Sequence, residues 1–102
     1  MIDFVNDHIN PLKELCKKHN VKDLYLFGSA VSSGFNNTSD LDFAVVFKDS
    51  LSPLEHGSSF FNLKHDLENL FAREVDLISY RVIKNPIFKE ELDQTKVTLY
   101  AA

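Results

Sequence analysis

Two aspartates, Asp40 and Asp42, have the residue type and spacing of a metal site. They stand one residue apart at the start of an apolar run, and the period-2 alternation of a strand directs both carboxylates to the same side of a sheet. Like charges at that spacing repel each other unless a cation lies between them, and Mg²⁺ prefers such oxygen ligands. The sequence therefore predicts a magnesium site at Asp40 and Asp42.

A glycine and a serine, Gly28 and Ser29, follow the apolar run Leu24–Phe27. A glycine at the end of a strand lets the backbone approach a phosphate group closely. A serine at the next turn offers a hydroxyl group and can cap a helix whose N–H groups bind anions. Gly28 and Ser29 are therefore candidate nucleotide-binding residues.

A third acid, Asp76, lies between Val75 and Leu77 in a run that alternates like a strand. A carboxylate in such a run is costly to bury unless it is paired or bound to a metal ion. If the strands of Asp42 and Asp76 are neighbours, the three acids could converge on one or two metal ions. A phosphate site beside a metal held by carboxylates is typical of phosphoryl or nucleotidyl transfer.

The elements that position these residues alternate between helices and strands. The apolar pattern predicts a helix from Ile2 to about Lys18, which Pro11 either kinks or divides, with Asn10 as the cap of a second helix and Asn20 as the stop. A capping box at Ser52–Glu55 predicts a second helical region, whose start Gly57 could delay by one turn. The remaining predicted elements are strands at 24–27, 41–47, 74–80 and 97–100, a loop at 32–39 and a helix capped by Asn85 and Pro86. This alternation predicts an α+β or α/β class, with helices packed on a small sheet and the 41–47 strand in its centre.

The spacing of these residues resembles a known signature. Gly28-Ser29, ten intervening residues and then Asp40-Leu41-Asp42 match the Gly-Ser-x10-Asp-x-Asp pattern of the DNA polymerase beta-like nucleotidyltransferases. The chain especially resembles the minimal nucleotidyltransferase subgroup, and the resemblance extends over nearly all of it. It implies an α+β fold with a small mixed sheet backed by helices. It also implies that Asp40 and Asp42 are catalytic metal ligands and that Asp76 is a further ligand or the base for the incoming hydroxyl.

The resemblance also implies a reaction and a partner. Minimal nucleotidyltransferases are typically encoded beside a small helical HEPN-type protein, as the antitoxin of a toxin–antitoxin pair. In that setting the activity is transfer of AMP from ATP, with Mg²⁺, to a tyrosine of the toxin. One departure concerns the loop after Ser29, where many relatives carry an arginine and this chain has Ala30–Gly34. Lys48, Lys64, Arg73 or a residue of the partner could replace that charge.

Composition limits the remaining possibilities. With 102 residues the chain is expected to form one nucleotidyltransferase domain, residues 1–102. The net charge of −4 without a lysine or arginine cluster argues against direct nucleic-acid binding. No apolar run has the length of a membrane span, and a single cysteine fits a reducing cytoplasm, so a cytoplasmic location is expected.

Other residues that could carry chemistry have simpler interpretations. The four histidines lack the spacing of a zinc site and are expected at the surface, namely His8, His19, His56 and His65. Cys16 is expected in the core, and so are Phe60, Phe61 and Phe71, in preference to a base-stacking role. Two alternative functions stay open at this point. One is a non-catalytic antitoxin that acts by binding alone, and the other is nucleotidyl transfer to a small molecule such as an aminoglycoside.

Overall fold

The computed structural model of the protein describes residues 5–28 and 40–102. Within these ranges the elements are, in chain order, α1 (Ile9–Lys18), β1 (Val21–Phe27), β2 (Leu41–Phe47), α2 (Pro53–Phe71), β3 (Val75–Ser79), a 3-10 helix (Tyr80–Val82), α3 (Pro86–Thr95) and β4 (Val97–Ala101). The class is α+β, as the sequence predicts. The predicted start of the first helix and the predicted 32–39 loop lie outside the described residues.

The four strands form one mixed sheet in the order β3-β2-β1-β4. β1 pairs antiparallel with both β2 and β4, whereas β2 pairs parallel with β3 through the crossover that contains α2. β2 is therefore flanked on both sides, which confirms its predicted central position. Five of its seven residues are buried hydrophobic residues in succession, from Phe43 to Phe47, as expected for a strand covered on both faces.

One face of the sheet packs against α1 and α2 and forms the core. Alternate residues of the strands point to this side, and the apolar stripes of the two helices cover them. The fully buried members include Leu12 and Cys16 of α1, Leu63 and Leu67 of α2, and Phe43 of β2. Cys16 is thus a core residue, and its burial raises the pKa of the thiol to about 12.

The ends of the helices follow local sequence signals, with two corrections. Ser52 and Glu55 form the predicted capping box, and α2 begins at Pro53, so Gly57 does not delay it. The reciprocal cap outweighs the cost of a helical glycine. α1 begins at Ile9 with His8 at its N-cap, so the assignment of Asn10 as the cap is wrong. Pro11 fits in the first turn because its missing N–H has no intrahelical partner there. Asn20 ends α1 as predicted, with a φ of 60°.

The opposite face of the sheet carries the 3-10 helix and α3. The Phe27 ring lies against the Phe88 ring with centroids 6.0 Å apart, and the Tyr25 ring lies 5.5 Å from that of Tyr80. The side chain of Asn85 caps α3 by accepting hydrogen bonds from the amides of Ile87 and Phe88, as predicted. The 3-10 helix and α3 therefore cover β1 on this face. Asp42 of β2 and Asp76 of β3 lie next to the covered strand.

Two side-chain predictions are wrong. His19 is buried and its Nε2 lies 2.6 Å from Oδ2 of Asp66, a contact between residues far apart in sequence. Phe61 has 73% of its side chain exposed, whereas Phe71 is buried and Phe60 is half-buried. No helix among the described residues is long and apolar enough to cross a membrane.

Candidate active site

Asp42 and Asp76 lie directly opposite each other on neighbouring strands. The parallel register of β2 and β3 pairs Leu41 with Val75, Asp42 with Asp76 and Phe43 with Leu77. The apolar residues on either side of each acid point into the core. Because side chains alternate along a strand, both carboxyl groups point to the other face of the sheet. The structure thus brings together two acids that the sequence could only place on separate strands.

The carboxyl group of Asp42 has an unusual pKa. The pKa is raised from 3.8 to about 6. The causes, largest first, are burial, the charge of Asp76, a hydrogen bond between the Asp42 and Asp76 carboxyl groups, and the charge of Asp40. Desolvation is the largest of these causes, because Asp42 is half-buried while Asp40 and Asp76 are exposed. Two acids held this close cannot both ionise without cost, so the site favours a proton or a cation.

Asp40 lies just before β2 and is exposed to solvent. Its charge contributes to the raised pKa of Asp42, which shows that the two groups interact electrostatically. Its position lets the side chain reach ligands at the edge of the site without the desolvation that Asp42 experiences. The three predicted acids therefore occupy one end of the β2–β3 pair.

Gly28 brings the backbone against the Asp42 carboxylate. It follows Phe27, which pairs with Asp42 across β1 and β2, and it adopts a φ of 74°. A Cβ at this position would collide with Oδ2 of Asp42 and lie 3.1 Å from its Cγ. Glycine is therefore required here both for its positive φ and for the close approach. Ser29, the second predicted nucleotide-binding residue, lies outside the described residues.

The donor set at this site fits a hard divalent cation. Asp42 and Asp76 present carboxylate oxygens side by side, and a bound cation would remove the repulsion that raises the pKa of Asp42. Across residues 5–28 and 40–102, no three His, Cys, Asp or Glu side chains are grouped closely enough to hold a metal ion. Asp42 and Asp76 are therefore the residues that would hold a divalent cation here, and Asp40 lies next to them.

The structure distinguishes the basic residues that could replace the missing loop arginine. Lys48 follows the far end of β2, where its amide donates to the carbonyl of Asn20. Lys64 belongs to α2, which packs on the other face of the sheet. Arg73 lies next to Glu74, whose carbonyl accepts a hydrogen bond from the amide of Leu41. Of these three, Arg73 is at the end of the sheet that carries the acids.

Two aromatic residues on this face, Phe27 and Phe88, have no role of their own in the predictions from the sequence. Phe27 precedes Gly28, and its pairing with Asp42 across β1 and β2 places it on the same face as that acid. Phe88 belongs to α3, and 38% of its side chain is exposed. Only the contact between the two rings, which the sequence does not indicate, associates Phe88 with this site.

The family model for polymerase beta nucleotidyltransferases matches residues 10–102. Two proteins of Methanocaldococcus jannaschii, both named putative protein adenylyltransferase, are each 33% identical to the chain. The first match covers 83% of this chain and 90% of the relative, and the second covers 90% and 87%. A spectinomycin 9-adenylyltransferase of Enterococcus faecalis is 43% identical, over 45% of this chain and 19% of its own length.

Solved structures share the fold. One described as a putative minimal nucleotidyltransferase is 26% identical, with a TM-score of 0.72 over 93% of this chain and 92% of that one. A toxin–antitoxin structure with AMP-PNP is 22% identical, with a TM-score of 0.71 over 92% of this chain and 73% of the other. A structure described as a tri-AMPylated Shewanella oneidensis HEPN toxin in complex with MNT antitoxin contains a chain that is 20% identical. Its TM-score is 0.66, over 95% of this chain and 72% of that one. The chain belongs to the polymerase beta nucleotidyltransferase family and is a nucleotidyltransferase.

Proposed function

We propose that this chain, as a single nucleotidyltransferase domain spanning residues 1–102, transfers AMP from ATP to a tyrosine hydroxyl of a HEPN-type toxin. It would thereby act as the antitoxin of a cytoplasmic pair. The observation that carries the proposal is the register of Asp42 against Asp76, with Gly28 beside them. The similar solved structures described with AMP-PNP and with an AMPylated HEPN toxin support the donor and the partner.

In this proposal Asp40, Asp42 and Asp76 hold Mg²⁺. A bound Mg²⁺ would supply charge neutralisation for the phosphates and for the departing pyrophosphate. Asp42 has a pKa near 6, so at neutral pH its carboxyl group is largely ionised and available as a ligand. Repulsion within the acid pair disfavours the empty site, and this increases the gain when a cation binds.

The acceptor side of the reaction is assigned to Asp76. This exposed carboxylate accepts a hydrogen bond from the tyrosine hydroxyl and takes its proton as the oxygen attacks the α-phosphorus of ATP. The new bond joins the tyrosine oxygen to phosphorus, the bond to the bridging oxygen breaks, and pyrophosphate leaves with that electron pair. Because Asp40 and Asp76 are exposed, a partner protein can bring its own hydroxyl group to them.

The donor side is assigned to Gly28 and Ser29. The positive φ of Gly28 and its lack of a side chain bring the backbone against the Asp42 carboxylate, where a phosphate could approach it closely. Ser29 is proposed to contact the phosphates through its hydroxyl group. Ser29→Ala should therefore raise the KM for ATP or lower kcat. Unchanged kinetics of Ser29→Ala would indicate that Gly28 and Ser29 have only a structural role as a turn.

Intact-mass spectrometry of the partner tests the proposal. After incubation with ATP and Mg²⁺, wild type is expected to add one or more adenylyl groups to the toxin. Asp76→Asn should bind the toxin without modifying it. Asp49→Asn is the matched control, because Asp49 is an exposed acid that pairs with Arg81 beyond the other end of β2, and it should keep full activity.

Two other results would identify the alternatives. A toxin that is neutralised without a mass increase would show an antitoxin that acts by binding alone. Modification of an aminoglycoside, with no change in the toxin, would show a small-molecule acceptor. The similarity to a spectinomycin 9-adenylyltransferase supports this second alternative, although the match covers only 19% of the length of that relative.

A further inference from the structure

We infer that Phe27 and Phe88 form the surface on which the base of the donor nucleotide stacks. This inference rests on the proposed function, because it takes the acid pair and Gly28 as the place where the phosphates bind. It adds a base-binding surface to that site and assigns it to β1 and α3.

Phe27 is the last residue of β1. It pairs with Asp42 across the antiparallel β1–β2 register, and cross-strand partners have Cβ atoms about 4.5–5.5 Å apart on one face. Its neighbour Leu26 is fully buried in the core, so the Phe27 ring points to the face that carries the acids. Phe27 is therefore the neighbour of Asp42 on this face of the sheet.

The ring of Phe88, on α3, is exposed. Its centroid is 6.0 Å from that of Phe27, with the ring planes inclined at 75°, so the two rings meet edge to face. The Asn85 side chain fixes the first turn of α3 by accepting from the Phe88 amide, and Leu92 anchors the helix in the interior. Phe88 thus offers an aromatic surface to solvent, although its backbone is held.

Tyr25 and Tyr80 form another aromatic pair that the structure describes on this face. The Tyr80 hydroxyl donates a 2.6 Å hydrogen bond to Asp93, and the ammonium groups of Lys89 and Lys96 lie 5.3 Å and 5.9 Å from the centre of its ring. Lys96 also lies 5.2 Å from the centre of the Tyr25 ring. These cation–π and hydrogen-bond contacts occupy Tyr25 and Tyr80. Among the aromatic side chains that the structure describes on this face, Phe27 and Phe88 are therefore left for a ligand.

A stacked base fits this surface chemically. A nucleoside triphosphate presents its base one ribose away from phosphates held at Gly28 and the acids. Every base has an aromatic face, so stacking on phenylalanine supplies affinity without hydrogen-bond readout. The surface therefore predicts tight binding of the base with little discrimination between adenine and other purines.

The test compares Phe88→Ala with wild type in binding two ligands in the presence of Mg²⁺, ATP and inorganic tripolyphosphate. Tripolyphosphate carries the phosphates without a base. Phe88→Ala is expected to weaken ATP binding by roughly tenfold, a typical effect of losing one stacked base, and to leave tripolyphosphate binding unchanged. Phe61→Ala is the matched control, because it removes an equally apolar and more exposed ring from α2. It should change neither affinity.

A conservative series separates stacking from folding. Phe88→Tyr is expected to keep the affinity for ATP, whereas Phe88→Leu, which keeps an apolar side chain in the helix, should lose most of it. Equal weakening of both ligands would overturn the inference, and so would unchanged ATP binding by Phe88→Ala. If that unchanged binding came with reduced modification of the toxin, Phe88 would instead contact the partner. Wild type that binds neither ligand would refute the proposed function itself, and this inference with it.

Discussion

At Gly28 the backbone passes so close to Asp42 that a side chain there would meet the carboxylate. We predict that Gly28→Ala lowers stability by about 1–2 kcal/mol, because alanine is strained at a positive φ. Displacement of the Asp42 carboxylate should reduce adenylyl transfer by about a hundredfold. Gly57→Ala is the control, since a Cβ there meets nothing within 4 Å. In a helix this change should add about 0.5–1 kcal/mol. Thermal denaturation and the rate of transfer measure both, and equal behaviour of the two variants would contradict the prediction.

The raised pKa of Asp42 makes stability depend on pH. Between 3.8 and about 6 the unfolded chain releases the proton that the folded chain keeps, so this group lowers the free energy of unfolding as pH rises through that window. Asp42→Asn removes the ionisable group. The metal-free variant should therefore be more stable than wild type at about pH 8, by on the order of 1 kcal/mol after solvent screening.

Urea denaturation in the presence of a chelator, at about pH 8 and about pH 4, measures this difference. At the lower pH the two proteins should have nearly equal stability, because the carboxyl group is protonated in the folded state. Asp40→Asn should increase the free energy of unfolding by less, because Asp40 is exposed and contributes through its effect on the pKa of Asp42. A gain that is the same at both pH values would show that the charge of Asp42 is not its cause.

At the scale of elements, His19 connects the end of α1 to α2 through Asp66. The hydrogen bond from His19 lowers the pKa of Asp66, and Lys18 lies 3.6 Å from the same carboxylate oxygen. This stabilisation is present above the ordinary pKa of an aspartate and is lost as pH falls through the lowered value. Asp66→Ala should therefore cost about 1–2 kcal/mol at neutral pH, because the buried imidazole loses its partner.

Equilibrium urea denaturation at neutral pH measures this cost. The control is Glu14→Ala, which removes an exposed acid 3.9 Å from Lys17 on α1 and should have little effect. The loss in Asp66→Ala should shrink in acid, where wild type also loses the carboxylate. Full stability of Asp66→Ala at neutral pH would contradict the assignment of this contact as a link between the helices.

The same elements show how far the sequence predicts this fold. The bounds of β2 and the caps at Ser52 and Asn85 depend on neighbouring residues, and they are confirmed. β1 begins at Val21, three residues before the predicted start, because pairing with β2 and β4 extends a segment with the polar residues Lys22 and Asp23. The burial of His19 depends on Asp66, a residue that no local pattern associates with it.

In the candidate site too, local features are predicted from the sequence and contacts between distant residues are not. Strand alternation correctly predicts that Asp42 leaves the core face, and the positive φ of Gly28 agrees with its place at the end of a strand. The pairing of Asp42 with Asp76 depends on the order of strands in the sheet, and the sequence leaves that order open. For the same reason, Phe88 could not be associated with the site before α3 was placed over Phe27.

For the whole molecule, ligand binding and stability are linked. Saturating ATP and Mg²⁺, at about 100 times the dissociation constant, should stabilise the folded state by about 2.7 kcal/mol. For a domain of this size that corresponds to a rise in Tm of roughly 10–20 °C. Asp42→Asn should show little of this rise, although its ligand-free form is the more stable protein. An equal rise in both proteins, measured by thermal denaturation, would refute the assignment of Asp42 to the metal.

The strand order has a consequence for synthesis on the ribosome. β1 and β2 are made first, but their outer neighbours, β4 and β3, come from later parts of the chain. Asp42 has no Asp76 opposite it until α2 and β3 have emerged, and β1 lacks an edge partner until β4 follows. A nascent chain therefore carries its first two acids without the proposed proton acceptor. In a nascent chain, adenylyl transfer would begin only after these distant strands have paired, and that pairing sets the delay.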